Sequence, residues 1–488
     1  MKHPLFFLFS FVVLISSYWT ESILLYAVST AIIFGVRVQR LIGFHKNIYT
    51  IKYFSLIAYT TFSWTLIGQI LSFFAFCQIN GFNQLLNYQL GGKVVEWTFL
   101  SLSMAYVCAF CGFFSLFSLL PFVDKCEKEI TSFMLRSISF NSRRLQKQFA
   151  RISYLCGAFL FFLISTGLLG FKGTQVDAAY SSGSQALWYP LVRLSLAILA
   201  VLPVFIFKLN EKKWFKHLFL IISFLIGIYV SFTIGRRAFI YQLILCFYSY
   251  IWVCLAVDNK LPSIKPRVLL MSGLGIYFIP KLLTFFQYIR TLKLTDLSLS
   301  NLYSLYLQFN QNKELLAQIE NSQALNYVTR PLLHSVLARL TKIDNLNFTG
   351  FVDLHHSFQY SLPTFLVGSK SALYGSKAQL VNAIGIDADW ISSPPTMSYL
   401  SFGILGLLVY PLLYVGIYYL YSTSVLSILK AKFSSLILII FFTFWLDNVV
   451  QGMPEGTTIS YLRAFFIQAL IIVSIFIFSI FAKNLSRS

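Results

Sequence analysis

Apolar runs long enough to cross a bilayer core, roughly 17–25 residues of helix, recur along the whole chain with mostly short connectors between them. Inside hydrocarbon every backbone N–H and C=O must be satisfied within the protein, which leaves helices and closed barrels as the spanning structures. Runs of this length read as helices. They lie at about 4–19, 22–36, 53–77, 94–122, 152–171, 189–207, 217–235, 238–256, 268–288, 397–420, 433–450 and 459–482. The predicted fold class is therefore an all-α polytopic membrane protein with about 12 transmembrane helices and a partly helical loop between the ninth and tenth. At 57% apolar and 11% charged residues, with a mean hydropathy of +0.72, a chain of 488 residues cannot be a water-soluble domain. The first two runs are short and can form a tilted hairpin turning at Thr20 and Glu21. Met1 to Trp19 has the Lys-then-apolar start of a signal peptide but no small-x-small cleavage site, and runs straight into the second apolar segment. It is read as an uncleaved first span.

Charge sets the orientation. The net charge of +21 could point to nucleic acid, but the basic residues sit mostly in short connectors between spans, where positive-inside bias places them. One set of connectors carries Arg37, Arg40, Lys46 and Lys52, then Lys125, Lys128, Arg136, Arg143, Arg144, Lys147 and Arg151, then Lys208, Lys212, Lys213 and Lys216. The short connectors of the opposite set hold Lys93 and Lys172 and little else. Both termini are thus expected in the cytoplasm and the long interval outside. Three regions follow: 1–288 with nine helices, 289–396 as a large extracytoplasmic loop, and 397–488 with three helices. Within the loop, 298–310 and 332–340 have helix-like apolar spacing, and Pro331 suits the first turn of the second. Phe, Leu and Tyr persist throughout, so the loop is expected to fold back on the membrane surface.

Residues that break the charge rule carry the functional information. Arg236 and Arg237 occupy a minimal outside turn between spans seven and eight. Arg193, Lys281, Arg290 and Arg463 also lie within or at the ends of spans. A charge at this depth costs a few kcal/mol at least and usually faces a polar cavity or partner. For Arg193 and Lys281, snorkelling to headgroups is the ordinary role. Clustered guanidinium groups suit a membrane-anchored phosphate or pyrophosphate, whose oxygens they match bidentately. Asp447, Glu455, Glu96, Asp387 and Asp389 are candidate bases or arginine partners, and Asp353, His355 and His356 cluster in FVDLHHSFQY. Solvated loop histidines remain the alternative there. No HxxxH or HExxH occurs and the loop has no cysteine, so no metal site is expected. Cys108 and Cys111 form a C-x-x-C within an apolar run, without a second pair, and read as small buried hydrophobes.

Twelve spans with a large outer loop between the ninth and tenth resemble the Wzy-type O-antigen polymerases, or oligosaccharide repeat unit polymerases; O-antigen ligases share the layout. The stretch PPTMSYLSFGILGLL, Pro394 to Leu408, carries the local likeness: a small polar stretch, an aromatic-rich helix start, then a G-x-x-G at Gly403 and Gly406. Arg339 and Gly350, with ten residues between them, match an arginine–glycine spacing of the family's outer loops. The resemblance implies a metal-independent glycosyltransferase in the bacterial inner membrane, without cofactors. It would transfer a glycan from undecaprenyl pyrophosphate to the non-reducing end of a second lipid-linked repeat unit. Its partners would be undecaprenyl-pyrophosphate-linked oligosaccharides, membrane lipids and a Wzz-type chain-length regulator, with no nucleic acid. On that implication Arg236, Arg237 and Arg290 bind the pyrophosphate, Arg330 and Arg339 contribute from the loop, and His356 or Asp389 takes the acceptor proton.

Two other readings stay open. A ligase would use the same donor but deliver to the lipid A core; His355 and His356 lie about 40 residues ahead of span ten, without the helical glycine pattern prominent in that family. A lipid-linked oligosaccharide flippase also runs to twelve spans, but would be expected to show internal repeats and no loop of this length.

Overall fold

The computed structural model describes residues 2–29, 31–32, 97–117, 119–140, 142–166, 183–209, 218–234, 242, 245–246, 249–250, 254, 284–285, 288, 299–312, 337–338, 340–343, 346–352, 355, 358–359, 394–431, 437–443, 469–474 and 477. These residues form helices and turns and no strand. Among them, three stretches are long and apolar enough to cross a membrane: Thr98–Phe117, Lys147–Ser165 and Pro394–Lys430. Shorter apolar helical stretches are Phe7–Trp19, Leu194–Val204 and Ile221–Val230. The chain is a helical membrane protein with several candidate spans. It divides into two compact units, Met1–Phe133 with Leu325–Phe433 and Asn448–Ser488, and Met134–Ala324 with Ser434–Asp447.

In the first unit, α1 (Lys2–Trp19) packs on α2 (Trp97–Phe117). Both are apolar on all sides, so periodicity cannot choose the contact face. Small residues choose it instead. Ser101 Oγ donates to the Leu14 carbonyl at 2.8 Å, and Gly112 gives room for Phe7, whose Cβ lies 3.2 Å from where a Gly112 Cβ would be. Ser101 thus meets Leu14 while Gly112 meets Phe7, so the two helices run in opposite senses. After α1 the chain turns at Thr20 and Glu21, as the sequence predicts, with Glu21 in the left-handed region at φ 46°. Ser22 Oγ accepts the Leu25 N–H at 3.3 Å, capping the helical residues that follow.

α3 (Pro121–Phe140) lies where the sequence reading had only a charged connector. Pro121 opens it and Asp124 sits in its positive first turn. Its buried residues, Val123, Cys126, Glu127 and Ile130, recur at i, i+3, i+4 and i+7, the stripe of an amphipathic helix. The charge run masked that period. Phe122 meets Tyr419 edge-on at 5.0 Å between ring centroids.

The second unit holds α4 (Ser142–Ser165), α5 (Gly183–Leu209) and α6 (Leu218–Ile234), each packed on the other two. α4 starts ten residues before the expected span, because Arg143, Arg144 and Lys147 are compatible with helix even where they are not compatible with lipid. Leu160, Leu163, Val192, Leu199 and Val230 form the shared core. Gly157 sets the α4–α6 spacing: a Cβ there would stand 2.5 Å from Ser223 Oγ, 2.7 Å from its Cβ and 3.1 Å from its Cα. Gly157→Ala is expected to destabilise the unit by about 1–3 kcal/mol, the usual cost of overpacking. A thermal melt of the detergent-solubilised protein, followed by size exclusion, reads it; an unchanged midpoint would show the helices can part freely. α7 (Leu299–Gln311) matches the helix predicted at 298–310. Its Phe309 ring sits 5.3 Å from Phe285 and 5.4 Å from Tyr288, so the beginning of the long interval folds back on residues just before it.

Candidate functional site

The stretch Pro394–Ala431, expected as one helix over 397–420, is two helices with a break. α8 (Pro394–Phe402) ends where Gly403 turns left-handed at φ 56°. A single 3₁₀ turn, Gly403–Leu405, follows, and α9 (Gly406–Ala431) resumes. This is the G-x-x-G of the sequence, and each glycine has its own reason. Gly403 adopts a backbone conformation that costs an L side chain about 1–2 kcal/mol, and the Phe348 ring lies over it, its Cζ 2.8 Å from a would-be Cβ. Gly406 has helical φ, but a Cβ there would overlap the Ser398 carbonyl oxygen and stand 2.6 Å from the Ser398 carbonyl carbon and 2.9 Å from Tyr106 Oη. The break folds the two helix ends onto each other, and only glycine fits between them.

A broken helix frees backbone acceptors, which in an apolar setting must find donors. They find them in two places. From the 346–352 segment, Thr349 N–H donates to Leu400 O at 3.2 Å and Gly350 N–H donates to Ser401 O at 2.8 Å. From α2, Tyr106 Oη donates to Gly403 O at 3.0 Å and lies 2.8 Å from Ser398 Oγ. Thr349 Oγ1 lies 3.4 Å from Ser401 Oγ, which lies 3.1 Å from Tyr410 Oη. Gly350 is itself left-handed at φ 58°, which bends the segment so that consecutive amides face the break. Aromatic edges close over this polar centre: Phe351 on Phe402 at 4.9 Å, Tyr106 on Tyr399 at 5.3 Å and Phe402 on Tyr410 at 6.2 Å. Upstream, Leu337, Ala338 and Leu340 are fully buried, and Lys342 Nζ stands 5.5 Å from the centre of the Phe99 ring.

The far end of α9 is charged. Lys430, in its last turn, donates to Glu129 Oε2 of α3 at 2.7 Å. That hydrogen bond, and then the ammonium charge itself, holds the Glu129 carboxyl below its ordinary range. Beside it burial pushes the Cys126 thiol up to about 11, with the Glu127 and Glu129 charges adding to the effect. A carboxyl whose pKa is lower folded than unfolded contributes stability above its unfolded value and loses it as pH falls through the folded one. The pair is exposed, so its contribution is small. The melting point of Glu129→Gln should fall slightly below wild type at neutral pH and converge with it on acidification through the carboxylate range. A constant difference across that range would rule out the ion pair as its cause.

The site residues expected from sequence, Arg236, Arg237, Arg290, Arg330, Arg339, His356 and Asp389, all lie outside the described residues. So do Asp353, Asp387 and Asp447, and the side chain of Arg193. His355 is described and exposed, in a helical turn a few residues beyond the docked segment. Among the described residues, what gathers at the break is hydroxyls, amides and rings, a set that positions a loop and by itself moves no proton. Tyr106, Ser398, Ser401 and Tyr410 were missed by sequence reasoning. Their available signal was Ser398 and Ser401 three apart on one helical face, just ahead of the glycine pair. No protein family, no curated protein and no solved structure matches the chain.

Proposed function

We propose that the chain is a polymerase of lipid-linked oligosaccharide repeat units, of the O-antigen or capsule type, in a bacterial inner membrane. The observation that supports this reading best is the docking of the 346–352 segment onto the break of the Pro394–Ala431 helix pair. The break falls within the residues that carry the family resemblance. Both substrates of such an enzyme are tethered to the membrane, so its working loop must be held at headgroup level rather than project into water. The full reading has twelve spans, both termini cytoplasmic and residues 289–396 extracytoplasmic.

In the reaction proposed, a hydroxyl of the non-reducing-end sugar on one lipid-linked unit attacks the anomeric carbon of another. The bond from that carbon to the pyrophosphate oxygen breaks, and undecaprenyl pyrophosphate leaves. His356 or Asp389 accepts the hydroxyl proton. Arg236, Arg237 and Arg290, with Arg330 and Arg339 from the loop, stabilise the charge that develops on the leaving group. No metal or cofactor enters, and a chain-length regulator of the Wzz type is the expected protein partner.

One observation favours a second reading. Discontinuous helices are a common device in transporters, so a lipid-linked oligosaccharide flippase is the alternative. Deletion of the gene in a host that makes a polymeric surface glycan separates them. A polymerase deletion leaves lipid capped with single repeat units. A flippase deletion removes all of this glycan from the outer face. Polymer that still forms on its lipid carrier but never reaches the lipid A core would mark a ligase, and would end the polymerase reading as surely as the flippase outcome.

A further inference from the structure

We infer that the docked segment, 346–352, and the described helical residues after it, 355 and 358–359, rest in the boundary between headgroups and acyl chains of the bilayer. Phe348, Phe351, Val352 and Phe358 are each more than half exposed, Phe351 to 69%. Phe351, His355 and Phe358 fall at i, i+4 and i+7 and so share one helical face. The described helical residues there are 351–352, 355 and 358–359.

This face does not stand alone. Phe351 packs on Phe402 and Phe348 on Gly403, and the next residues along, Ile404 and Leu405, are 76% and 65% exposed. Those two belong to Pro394–Lys430, a stretch apolar enough to span a membrane. Lower on the same helix Leu408 and Leu412 are also exposed. The exposed surface of the segment is therefore continuous with the surface that a spanning helix presents to lipid. A contiguous apolar patch of this kind left in water would be costly. The occupant that fits is hydrocarbon, with the exposed imidazole of His355 reaching the headgroup layer, as amphipathic interfacial segments arrange their polar members. This inference needs only a membrane and not the glycan chemistry proposed above, so either can fail without the other.

The test uses the full-length protein in vesicles of phosphatidylethanolamine and phosphatidylglycerol. The photocrosslinker p-benzoylphenylalanine replaces one residue at a time, as Phe351→p-benzoylphenylalanine and Phe358→p-benzoylphenylalanine. It is near in shape to phenylalanine and inserts into nearby C–H bonds. Leu412, 53% exposed in the apolar stretch, is the lipid-facing reference, and Lys128, exposed on the charged helix α3, the water-facing one. Mass spectrometry should find phospholipid adducts at 351 and 358, as at Leu412, and lose them at Lys128. Adducts at Leu412 but none at 351 and 358 would overturn the inference. So would adducts at 351 and 358 that join two chains, since a second copy of the chain would then cover the face.

Discussion

Replacing Arg236 and Arg237 together by alanine is expected to abolish long glycan chains while leaving the amount of protein in the membrane unchanged. The two stand adjacent in SFTIGRRAFIYQL, a turn with almost no residues to spare between two apolar runs. Basic residues at such a turn work against the insertion bias, and on the proposed function what they meet there is the pyrophosphate of the lipid-linked substrate. A departing pyrophosphate lipid gathers negative charge as its bond to the sugar breaks. Removing one fixed donor from such a centre costs about a hundredfold or more in rate, and removing two should take polymer below detection. Arg236→Lys with Arg237→Lys sharpens the test: an ammonium keeps the charge but loses the bidentate fork, so shortened or sparse chains are expected, between wild type and none. Measured as the ladder of glycan lengths on a gel, wild-type chains in the double alanine variant would discard the pyrophosphate assignment.

The second large effect is structural. Gly406→Ala should unfold or open the helix break, whereas Gly403→Ala should be milder. At Gly403 the added methyl meets the far end of the Phe348 ring, which can swing aside, leaving mainly the cost of a left-handed alanine, about 1–2 kcal/mol. At Gly406 it meets the Ser398 carbonyl and the Tyr106 hydroxyl, and main chain cannot give way without moving α8. The expected cost there is about 3 kcal/mol, the upper end of the overpacking range. Two measurements check the order: the melting midpoint in detergent, and the rate at which protease cuts within 346–352, which rises once Thr349 and Gly350 lose their acceptors. Equal behaviour of the two variants would show that the close approach at Gly406 is not what holds the break.

Hydropathy alone located α1, α2, α5 and α6 to within a few residues, and helical spacing located α7, because each depends on local composition. It could not see the break in Pro394–Ala431. Every residue from Met397 to Leu408 is tolerable in an apolar helix, and the interruption arises from distant partners, Tyr106 in α2 and the Thr349–Gly350 amides. The glycine pair was visible as a pattern but its two different causes were not. α3 was missed for the opposite reason: its charges drew attention away from the apolar stripe of Val123, Cys126 and Ile130. The arginines and acids singled out for chemistry were chosen by their position against the insertion bias. That signal names residues without saying which of them converge, and they fall outside the described residues.

The anchor between Thr349–Gly350 and Leu400–Ser401 is made by amide and carbonyl groups that every non-proline residue possesses. Such a joint is blind to amino-acid identity except for the glycine that bends it. Mutations could therefore rewrite most of 346–352 over evolutionary time while the clasp survived. Two chains joined in this way could share an architecture with no recognisable likeness in their letters.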